Sequence, residues 1–364
     1  MLRTFIDKNR YIFNELRKNH KKHLKELLIE NKGKSLTIID ENSWIKKFNK
    51  ATFSNPKVIE AAEAFVTSEI KVLKDIEVKS SDIVCICVEK NDIIKLKKFI
   101  THYRKIGIDK FVILDNNSND GTIEYLKKQK DVVLCQTKVP YTSFRRVGWI
   151  NRIIAHYGYN RWYLIADSDE LLEYSNCEHK TIKDVIYYYN KRKITRGRAI
   201  MVDMYANSKY YVDGKLQSFY NNCILFDSDT YYQKHNRFFD GIYGGPRERI
   251  FKIKPCLTKY PLIYFQKKDI FRSHFLYPYK QNLNTDCNLI LKHYKFLPNE
   301  FEKYKKIAKD GNYYNGSIEY KKYIEFINKN YELDFICNSS TKYVNSNSFD
   351  KINLYKKIDW KEEQ

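Results

Sequence analysis

The sequence predicts an α/β fold in which a doubly wound, mostly parallel sheet is flanked by helices. Four apolar runs of strand length, at 83–88, 111–114, 132–134 and 162–166, alternate with segments whose apolar residues recur at helical spacing. The fourth run is apolar without interruption, as expected for a strand that is buried on both faces. Strands that alternate with helices over about ninety residues are typical of a doubly wound sheet.

Residues 1–80 precede this alternation, and their pattern predicts a helical extension. An apolar helical stripe that includes Leu24 predicts a first helix, and a second helix is expected to begin near Pro56 and to run towards Leu73. The segment 17–25 is rich in cations, which predicts either a solvated helix face or contact with an anionic membrane surface.

The pattern is less regular after the fourth strand. A helix is predicted over 181–190 and a strand over 198–204, and the loop-rich region 205–265 is dense in aromatic residues. The pattern of residues 312–364 predicts a tail that is first helical and then polar. Its last part, 337–364, is expected to lie at the periphery of the protein. The three predicted units are 1–80, 81–311 and 312–364.

Composition limits the class of protein. The chain has 364 residues, 43% of them hydrophobic, and no window of about eighteen apolar residues, so it can bury a core and predicts no membrane-spanning helix. The N-terminus lacks the apolar core of a signal peptide, and the eight cysteines form no C-x-x-C pair, which predicts a cytoplasmic protein with reduced thiols. The net charge of +22 would suit nucleic acid, but the lysines are spread along the whole chain, so we expect no nucleic-acid partner.

A pair of carboxylates follows the fourth predicted strand. Asp167 and Asp169 flank Ser168, and the carboxyl ends of strands are where ligands bind in an open α/β sheet. Carboxylate oxygens suit a hard cation such as Mg²⁺ or Mn²⁺. The alternative is a polar turn that merely ends the strand.

Five short segments occur in order along residues 82–311. They are Lys90-Asn91-Asp92, Asp115-Asn116-Asn117-Ser118-Asn119-Asp120-Gly121-Thr122, Asp167-Ser168-Asp169-Glu170, Gly244-Gly245-Pro246-Arg247-Glu248-Arg249, and His293-Tyr294 with Glu300-Phe301. In this order they resemble the K-N-E, D-N-x-S-x-D-G-T, D-x-D-E, G-G-x-R-x-R and H-Y motifs of the family-2-like GT-A glycosyltransferases. The resemblance implies the GT-A fold, a Rossmann-like α/β domain, for residues 81–311.

The chain departs from the family pattern at three points. Asp92 stands where glutamate is usual, and Leu171 stands where phenylalanine is usual. Leu297-Pro298 replaces the usual Lys-Ser pair, so a phosphate contact from that lysine would have to come from Lys295.

The resemblance also implies roles for individual residues. Asp167 and Asp169 would hold Mn²⁺ or Mg²⁺, with Asp169 as the direct ligand, and either His293 or His274 would complete the metal shell. Glu248 is the candidate general base. The residues expected to contact the nucleotide and its phosphates are Lys90, Asn91, Asp92, Asp115, Asn117, Asp167, Arg247, Arg249 and Lys295.

These expectations combine into one predicted function, with alternatives. The protein would move a sugar from a nucleotide-diphosphate sugar, first of all a UDP-sugar, to a hydroxyl of a glycan or lipid-linked acceptor in surface polysaccharide or glycoconjugate synthesis. There are two alternatives: a related enzyme that transfers a nucleotidyl or phosphoryl group, and a basic nucleic-acid-binding protein. Arg247 and Arg249 would otherwise pair with Glu170 or Glu173 as structure. Residues 1–80 would dock the enzyme at the inner face of an anionic membrane or on a partner, or else brace the catalytic domain.

Overall fold

A computed structural model of the chain describes these ranges of residues: 2–54, 58–207, 210–211, 222–283, 285–296, 300–330 and 332–361. Its helices are α1 (Leu2–Glu30), α2 (Glu41–Ser54), α3 (Ile59–Thr67), α4 (Ile93–Lys105), α5 (Thr122–Lys127), α6 (Ser143–Tyr157), α7 (Ile182–Lys191), α8 (Gly245–Phe251), α9 (Phe301–Asp310) and α10 (Tyr314–Lys329). Its strands are β1 (Lys71–Lys74), β2 (Val84–Glu89), β3 (Lys110–Asp115), β4 (Val132–Gln136), β5 (Arg161–Ile165), β6 (Glu170–Glu173), β7 (Arg196–Asp203), β8 (Tyr210–Tyr211), β9 (Leu225–Asp227), β10 (Tyr232–His235), β11 (Asp240–Tyr243), β12 (Thr258–Phe265), β13 (Ile270–Phe271), β14 (Leu276–Tyr277), β15 (Cys287–His293), β16 (Glu332–Leu333) and β17 (Ser340–Lys342).

Nine of these strands form one sheet in the order β1-β4-β3-β2-β5-β12-β7-β15-β6. One half of the sheet is Rossmann-like, because β2 runs parallel to β3 and β5, and β3 runs parallel to β4. The other half is mixed: β12 is antiparallel to both β5 and β7, while β7 and β15 are parallel. The predicted α/β class, a helix-flanked sheet built around parallel strands, is confirmed.

The path of the chain across the sheet reverses at β2. From β2 the chain proceeds to β3 and β4 on one side, and it then returns to place β5 on the other side. Such a reversal opens a crevice at the carboxyl ends of the two strands, and ligands bind there in open α/β sheets. In this protein the crevice lies between Glu89, the last residue of β2, and Ala166, which follows β5.

Both faces of the parallel strands are buried, which explains their continuous apolar runs. All six residues of β2 and all five of β5 are buried. Cys85 and Cys87 belong to the core on one face of the sheet, whereas Val84 and Ile86 belong to the core on the other. Because side chains alternate between the faces, such a strand needs apolar residues at nearly every position.

The N-terminal helices pack on one face of this sheet. Trp44 of α2 and Phe65 of α3 are fully buried in the same core as Trp149 of α6, and the ring centroids of Trp44 and Phe65 lie 5.1 Å apart. Helix α3 lies so close to α6 that a Cβ at Gly148 would come within 2.6 Å of the Ala61 carbonyl oxygen. This close approach of two backbones requires glycine at position 148.

The predictions for this segment need two corrections. Helix α2 has no counterpart among the predicted elements, and the helix expected from Pro56, a residue outside the described ranges, is α3, which ends at Thr67. Leu73 belongs to β1, which pairs antiparallel with β4 and sets Lys71 opposite Gln136. A four-residue edge strand, Lys71-Val72-Leu73-Lys74, carries too little signal to be separated from the helix before it.

The solvent side of α1 carries both signs of charge. Leu24 is fully buried in the core, whereas Lys18 and Lys22 form ion pairs with Glu15 and Glu26 at 2.8 Å and 3.7 Å. These pairs reduce the positive charge that the segment would offer to a membrane, so contact with an anionic membrane stays a prediction. Within the described residues, no helix is long and apolar enough to cross a membrane.

The last part of the chain packs into the core. Phe349, Ile352 and Ile358 are buried in the main core cluster, and β17 pairs antiparallel with β9. The expectation of a peripheral tail at 337–364 is therefore wrong for the residues described there. A few apolar side chains spaced among polar residues give no periodic signal, although each of them fills part of the core.

Candidate active site

A cavity of about 700 Å³ opens at the crevice between β2 and β5. The ends of β2, β5 and β15 form one side of it, and α9 with the residues leading into α10 forms another. The sequence-predicted site residues that line the cavity are Lys90, Asn91, Asp92, Asp167, Asp169, His293 and Lys295. Those that lie outside its lining are Asp115, Asn117, Arg247, Glu248, Arg249 and His274.

Asp167 lies between two buried cations. Its Oδ1 accepts a hydrogen bond from Arg146 Nη2 at 2.5 Å, and its Oδ2 accepts one from Lys259 Nζ at 2.9 Å. Burial alone would raise the pKa of Asp167, but Arg146 and Lys259 together lower it well below its usual range. Both oxygens of this carboxylate are therefore already engaged by side chains of α6 and β12.

Strand β15 brings a histidine between carboxylates. It lies between β6 and β7, and His293 at its end is opposite Glu170 on one side and Asp203 on the other. His293 Nδ1 donates a 2.6 Å hydrogen bond to Asp203 Oδ1, and His293 Nε2 lies 3.6 Å from Asp169 Oδ2. The potential ligand atoms of Asp169, Glu170 and His293 all lie within 4.8 Å of one another.

This arrangement suits a metal ion. A carboxylate bonded to one imidazole nitrogen fixes the tautomer and leaves the lone pair of the other nitrogen for the metal. Asp203 does this for His293, and Asp203 Oδ2 in turn accepts a hydrogen bond from Arg247 Nε at 2.8 Å. Burial alone would raise the pKa of Asp169, but nearby positive charge, including that of Lys95, lowers it, so its carboxylate is ionised and able to bind a cation.

Glu170 is the least available of the three candidate ligands. Lys259 Nζ contacts its Oε1, and its Oε2 accepts the N–H of Asp167 at 3.1 Å. Burial raises the pKa of Glu170 even though Lys259 opposes this shift. Asp169 and His293 are therefore the two residues best placed to hold a metal.

His274, the other candidate histidine, lies apart from this cluster. Its Nδ1 donates a 2.9 Å hydrogen bond to the carbonyl oxygen of Thr258, and burial lowers its pKa to about 4. A neutral histidine bonded to the backbone is typical of a core residue. The structure thus brings His293, and not His274, beside the carboxylates.

The Lys-Asn-Asp segment after β2 connects two loops at the mouth of the cavity. Lys90 is exposed there, and Asn91, at φ 53°, donates its N–H to Ser118 Oγ at 2.9 Å. Asp92 accepts a hydrogen bond from Ser168 Oγ, also at 2.9 Å. This segment therefore holds the loop after β3 and the loop that carries Asp167 and Asp169.

The predicted nucleotide contacts after β3 are less direct. Asp115 is fully buried, and its carboxylate accepts hydrogen bonds from the N–H of Ser118 and from Gln136 Nε2. Asn117 is exposed with φ 62°, a conformation that suits a turn. Asn116, to which the sequence assigned no role, lines the cavity instead.

The two arginines of α8 form ion pairs within the protein. Arg247 is buried and pairs with Asp203 at 2.8 Å and with Glu319 at 3.0 Å. Arg249 donates to Asp227 through two nitrogens, at 3.1 Å and 3.0 Å. The structural alternative for these arginines is therefore realised, although with other carboxylates than Glu170 or Glu173.

Glu248 does not reach the cavity. It accepts a 2.9 Å hydrogen bond from the Tyr232 hydroxyl, and Lys254 Nζ lies 3.6 Å away. A general base must come within hydrogen-bond reach of the proton that it takes. The geometry gives no support to Glu248 as the base.

Several cavity residues have no counterpart among the predicted ones. They are cationic or aromatic, and include Lys95, Arg146, Lys303, Tyr141, Tyr313 and Tyr320. Lys95 Nζ lies 3.0 Å from Glu300, which joins α4 to the start of α9. The residues converge from distant parts of the chain, so only the resemblance of Glu300-Phe301 to a family motif pointed to this side of the cavity.

Lys295 lies against aromatic rings at the cavity wall. Its Nζ donates to the Tyr320 hydroxyl at 2.7 Å and lies 5.6 Å and 4.5 Å from the ring centroids of Tyr304 and Tyr320. Cation–π contacts of this kind fix the position of an ammonium group. Lys295 thus offers a positioned cation in the cavity that also holds Asp169.

No family model matches the chain, and no curated protein matches it. Among solved structures, the chain is similar to a mannosyltransferase from Pyrobaculum calidifontis in complex with GDP-Man and Mn²⁺, with 14% sequence identity and a TM-score of 0.25. The match covers 45% of this chain and 47% of that one, so the chain spans about half the length of the protein that it matches. At this TM-score the likeness carries no argument about function.

Proposed function

We propose that the protein is a metal-dependent glycosyltransferase that moves a sugar from a nucleotide-diphosphate sugar to a hydroxyl of a glycan or lipid-linked acceptor. The observation that carries this proposal is the set of Asp169, His293 and Asp203 at the crevice between β2 and β5. An ionised carboxylate and an oriented imidazole face each other in a cavity of ligand size, at the position where α/β sheets bind ligands.

Mn²⁺ or Mg²⁺ fits this donor set. Carboxylate oxygens suit both ions, and the imidazole nitrogen of His293 makes Mn²⁺ the ion to test first. A bound divalent ion stabilises the negative charge that gathers on the diphosphate as the bond to the sugar breaks. Asp169 and His293 would hold the ion, while Asp203 keeps His293 in the tautomer that can bind it.

Asp167 has a different part in the proposal. Its side chain is 35% exposed, and its charge is balanced by Arg146 and Lys259. It holds the loop so that Asp169, two residues later, faces His293. A ligand hydroxyl could approach its exposed edge without displacing either cation.

The cations of the cavity match a diphosphate. Lys90 and Lys295 both line it, and Lys303 Nζ, another lining group, bonds to Asp92 at 2.6 Å. Ammonium groups bind phosphate oxygens through charge-assisted hydrogen bonds. A nucleoside diphosphate would therefore lie between the metal pair and these lysines.

An aromatic wall suits a sugar ring. The ring centroids of Tyr141 and Tyr313 lie 4.8 Å apart, and those of Tyr313 and Tyr320 lie 5.0 Å apart. All three residues line the cavity. Sugars bind to such surfaces through their apolar C–H faces, so this wall is the proposed position of the donor sugar or the acceptor.

Thermal unfolding with nucleotides tests the proposal. The full chain is heated with UDP, GDP, CDP or ADP, each in excess Mn²⁺ and in excess EDTA. We expect at least one nucleotide to raise the melting temperature in Mn²⁺ and not in EDTA, because the diphosphate completes the metal shell. Equal stabilisation in EDTA would contradict the metal model.

Two variants make this test specific. Asp169→Asn should abolish the Mn²⁺-dependent shift, because the amide keeps the shape of the side chain and loses its charge. Asp229→Asn removes an exposed carboxylate outside the cavity lining and should leave the shift unchanged. Transfer of radiolabelled sugar from the sugar conjugates of the stabilising nucleotide then distinguishes glycosyl transfer from nucleotidyl transfer.

A further inference from the structure

Arg272 is a buried cation that has no carboxylate beside it. Only 8% of the residue is exposed. Within the described ranges, its guanidinium makes two contacts: Nη1 donates to the Tyr279 hydroxyl at 3.5 Å, and Cζ lies 5.7 Å from the ring centroid of Phe275. Burial lowers the pKa of Arg272, and only Tyr279 opposes this shift. Because a buried charge is unfavourable unless it is paired and hydrogen-bonded, Arg272 lacks a partner that a ligand can supply.

Other buried arginines are better satisfied than Arg272. Arg196 pairs with Asp269 at 2.8 Å. Arg152 donates to two backbone carbonyl oxygens, at 2.7 Å and 3.0 Å. In Arg272, by contrast, Nε and Nη2 have no hydrogen-bond partner among the described residues, and neither is among the side-chain nitrogens that are sealed from solvent there. Both nitrogens are therefore open to a ligand.

The hairpin tip 272–275, which carries this arginine, lies beside the cavity. It connects β13 to β14, which pair antiparallel. His274 in the tip bonds to the carbonyl oxygen of Thr258. Thr258 is the first residue of β12 and lies at the edge where β5 ends, because β12 is antiparallel to β5. Arg146, which lines the cavity, donates from Nη1 to Ser273 Oγ at 3.5 Å, so the tip adjoins the cavity wall from outside.

Three half-buried aromatic residues accompany Arg272: Phe238, Phe275 and Tyr279. The rings of Phe238 and Phe275 are stacked, with centroids 5.7 Å apart and planes 1° apart. The ring of Tyr279 meets both of them edge-on. Partly exposed aromatic rings suit the apolar C–H face of a sugar, and an arginine beside them suits an anionic group on that sugar.

We propose that Arg272 binds the anionic group of an acidic carbohydrate and that this carbohydrate is the acceptor. Nε and Nη2 form one fork of the guanidinium, and such a fork binds a carboxylate or a phosphate through two parallel hydrogen bonds. A neutral sugar would leave the buried charge without a counterion. The site adjoins the cavity at Arg146, so a carbohydrate held there lies next to the donor. The acceptor role rests on the proposed function, whereas the binding of an acidic sugar does not.

Calorimetry on the full chain with three small sugars tests the binding site. The probes are methyl glucuronide, which carries a carboxylate, glucose 6-phosphate, which carries a phosphate, and neutral methyl glucoside. We expect the wild type to bind at least one acidic probe about tenfold more tightly than the neutral one. Arg272→Gln should weaken that acidic probe about tenfold and the neutral probe less than about twofold. The two acidic probes distinguish a carboxylate from a phosphate, and the loss in the variant reports on Arg272 because the lysines of the cavity are unchanged.

Two further variants and the melting temperature control this test. Lys268→Gln removes one exposed positive charge just before the same hairpin and should bind every probe within about twofold of the wild type. Arg272→Lys keeps the charge without the fork and should bind the acidic probe with intermediate affinity. The melting temperature of Arg272→Gln should equal or exceed that of the wild type, because an unpaired buried charge is removed. A fall of more than about 5 °C would identify Arg272 as a structural residue and overturn the proposal.

The binding and transfer results separate this proposal from the proposed function. Equal affinity of the wild type for acidic and neutral probes, or unchanged affinity in Arg272→Gln, would overturn the acidic-sugar site. In a transfer assay, Arg272→Gln should raise the concentration of acidic acceptor for half-maximal rate about tenfold and nearly keep the rate at saturation. An unchanged concentration would overturn the acceptor role. The Mn²⁺-dependent shift with a nucleotide should persist in Arg272→Gln, since Arg272 is outside the cavity lining. Absence of that shift in the wild type would instead contradict the metal site of the proposed function.

Discussion

Asp167 and Asp169 are two residues apart, yet they contact different groups of the protein. Asp167 contacts Arg146 on α6 and Lys259 on β12, at 2.5 Å and 2.9 Å. Asp169 lies beside the end of β15, where its Oδ2 is 3.6 Å from Nε2 of His293. The first carboxylate is saturated by cations of the protein, and the second is not.

This difference assigns the two carboxylates to different tasks. A metal bound through Asp167 would displace a contact with a buried cation, and an unpaired buried charge is unfavourable. A metal bound through Asp169 would take a position between groups that already face each other. A symmetric Asp-x-Asp pair in the sequence is thus an asymmetric pair in the folded protein, in which cations of the protein hold Asp167 and Asp169 is open to the metal that we propose.

The largest effect expected is on transfer by Asp169→Asn. The rate should fall about a thousandfold, or about 4 kcal/mol, because the metal that stabilises the leaving diphosphate is no longer held. The melting temperature should stay within about 2 °C of the wild type. Glu248→Gln is the control, and we expect it to retain activity within about threefold. Full activity in Asp169→Asn would remove the difference between the two carboxylates.

The two histidines give the next contrast. His293→Ala should raise the Mn²⁺ concentration for half-maximal rate by about tenfold to a hundredfold, because one ligand is lost. His274→Ala should leave that concentration unchanged and lower the melting temperature, because a buried side chain bonded to Thr258 is removed. Metal titration of the rate measures both variants. If His274→Ala raised the Mn²⁺ requirement and His293→Ala did not, the metal site would have to lie near His274 and Asp167 instead.

Asp167→Asn should act mainly on stability. The loss of charge leaves Arg146 and Lys259 without a carboxylate, and we expect a cost of about 2 kcal/mol, reduced by solvent because the Asp167 side chain is 35% exposed. The pKa of Asp167 is lowered in the folded state, so its contribution is present above about pH 4 and is lost as the pH falls below that value. Urea unfolding between pH 7 and pH 3 measures this: the wild type should lose more stability than the variant over the acid range. If the stability of the wild type and that of the variant fell equally with pH, the ion pairs of Asp167 would contribute nothing to stability.

The two halves of the sheet show how far the sequence predicts the fold. The parallel half follows from local pattern, because β2, β3, β4 and β5 are short apolar runs separated by helices and their order follows the usual winding of such units. The mixed half does not, because β12, β7 and β15 come from distant segments and pair according to packing that no short window contains. Helix α2 of the N-terminal segment and the buried C-terminal residues were likewise hidden by a polar, lysine-rich background.

The candidate site divides in the same way. The order of short motifs pointed to Asp167, Asp169 and His293, all of which line the cavity. It did not point to Asp203, which ends an apolar strand 90 residues before its partner His293. The motif order also could not assign different roles to Asp167 and Asp169. Nothing in the sequence connects Arg146 or Lys259 to Asp167.

The smallest effect expected concerns Asp203, which would act on the proposed metal only through His293. In Asp203→Asn the amide oxygen can still accept from His293 Nδ1, but the amide nitrogen cannot accept from Arg247, so the orientation of the imidazole is less firmly held. We expect the Mn²⁺ concentration for half-maximal rate to rise about tenfold, with the rate at saturating Mn²⁺ nearly kept. Metal titration of the transfer rate measures both quantities.

Asp227→Asn is a matched control for this last variant. Asp227 is fully buried and accepts two hydrogen bonds from Arg249, so it provides the same kind of arginine–carboxylate pair outside the cavity lining. Both variants should lower the melting temperature, because each weakens a buried ion pair. Only Asp203→Asn should change the Mn²⁺ requirement, because only Asp203 is bonded to a histidine beside Asp169. An equal Mn²⁺ requirement in the two variants would reduce Asp203 to a structural partner of Arg247 and would leave Asp169 and His293 to hold the metal without it.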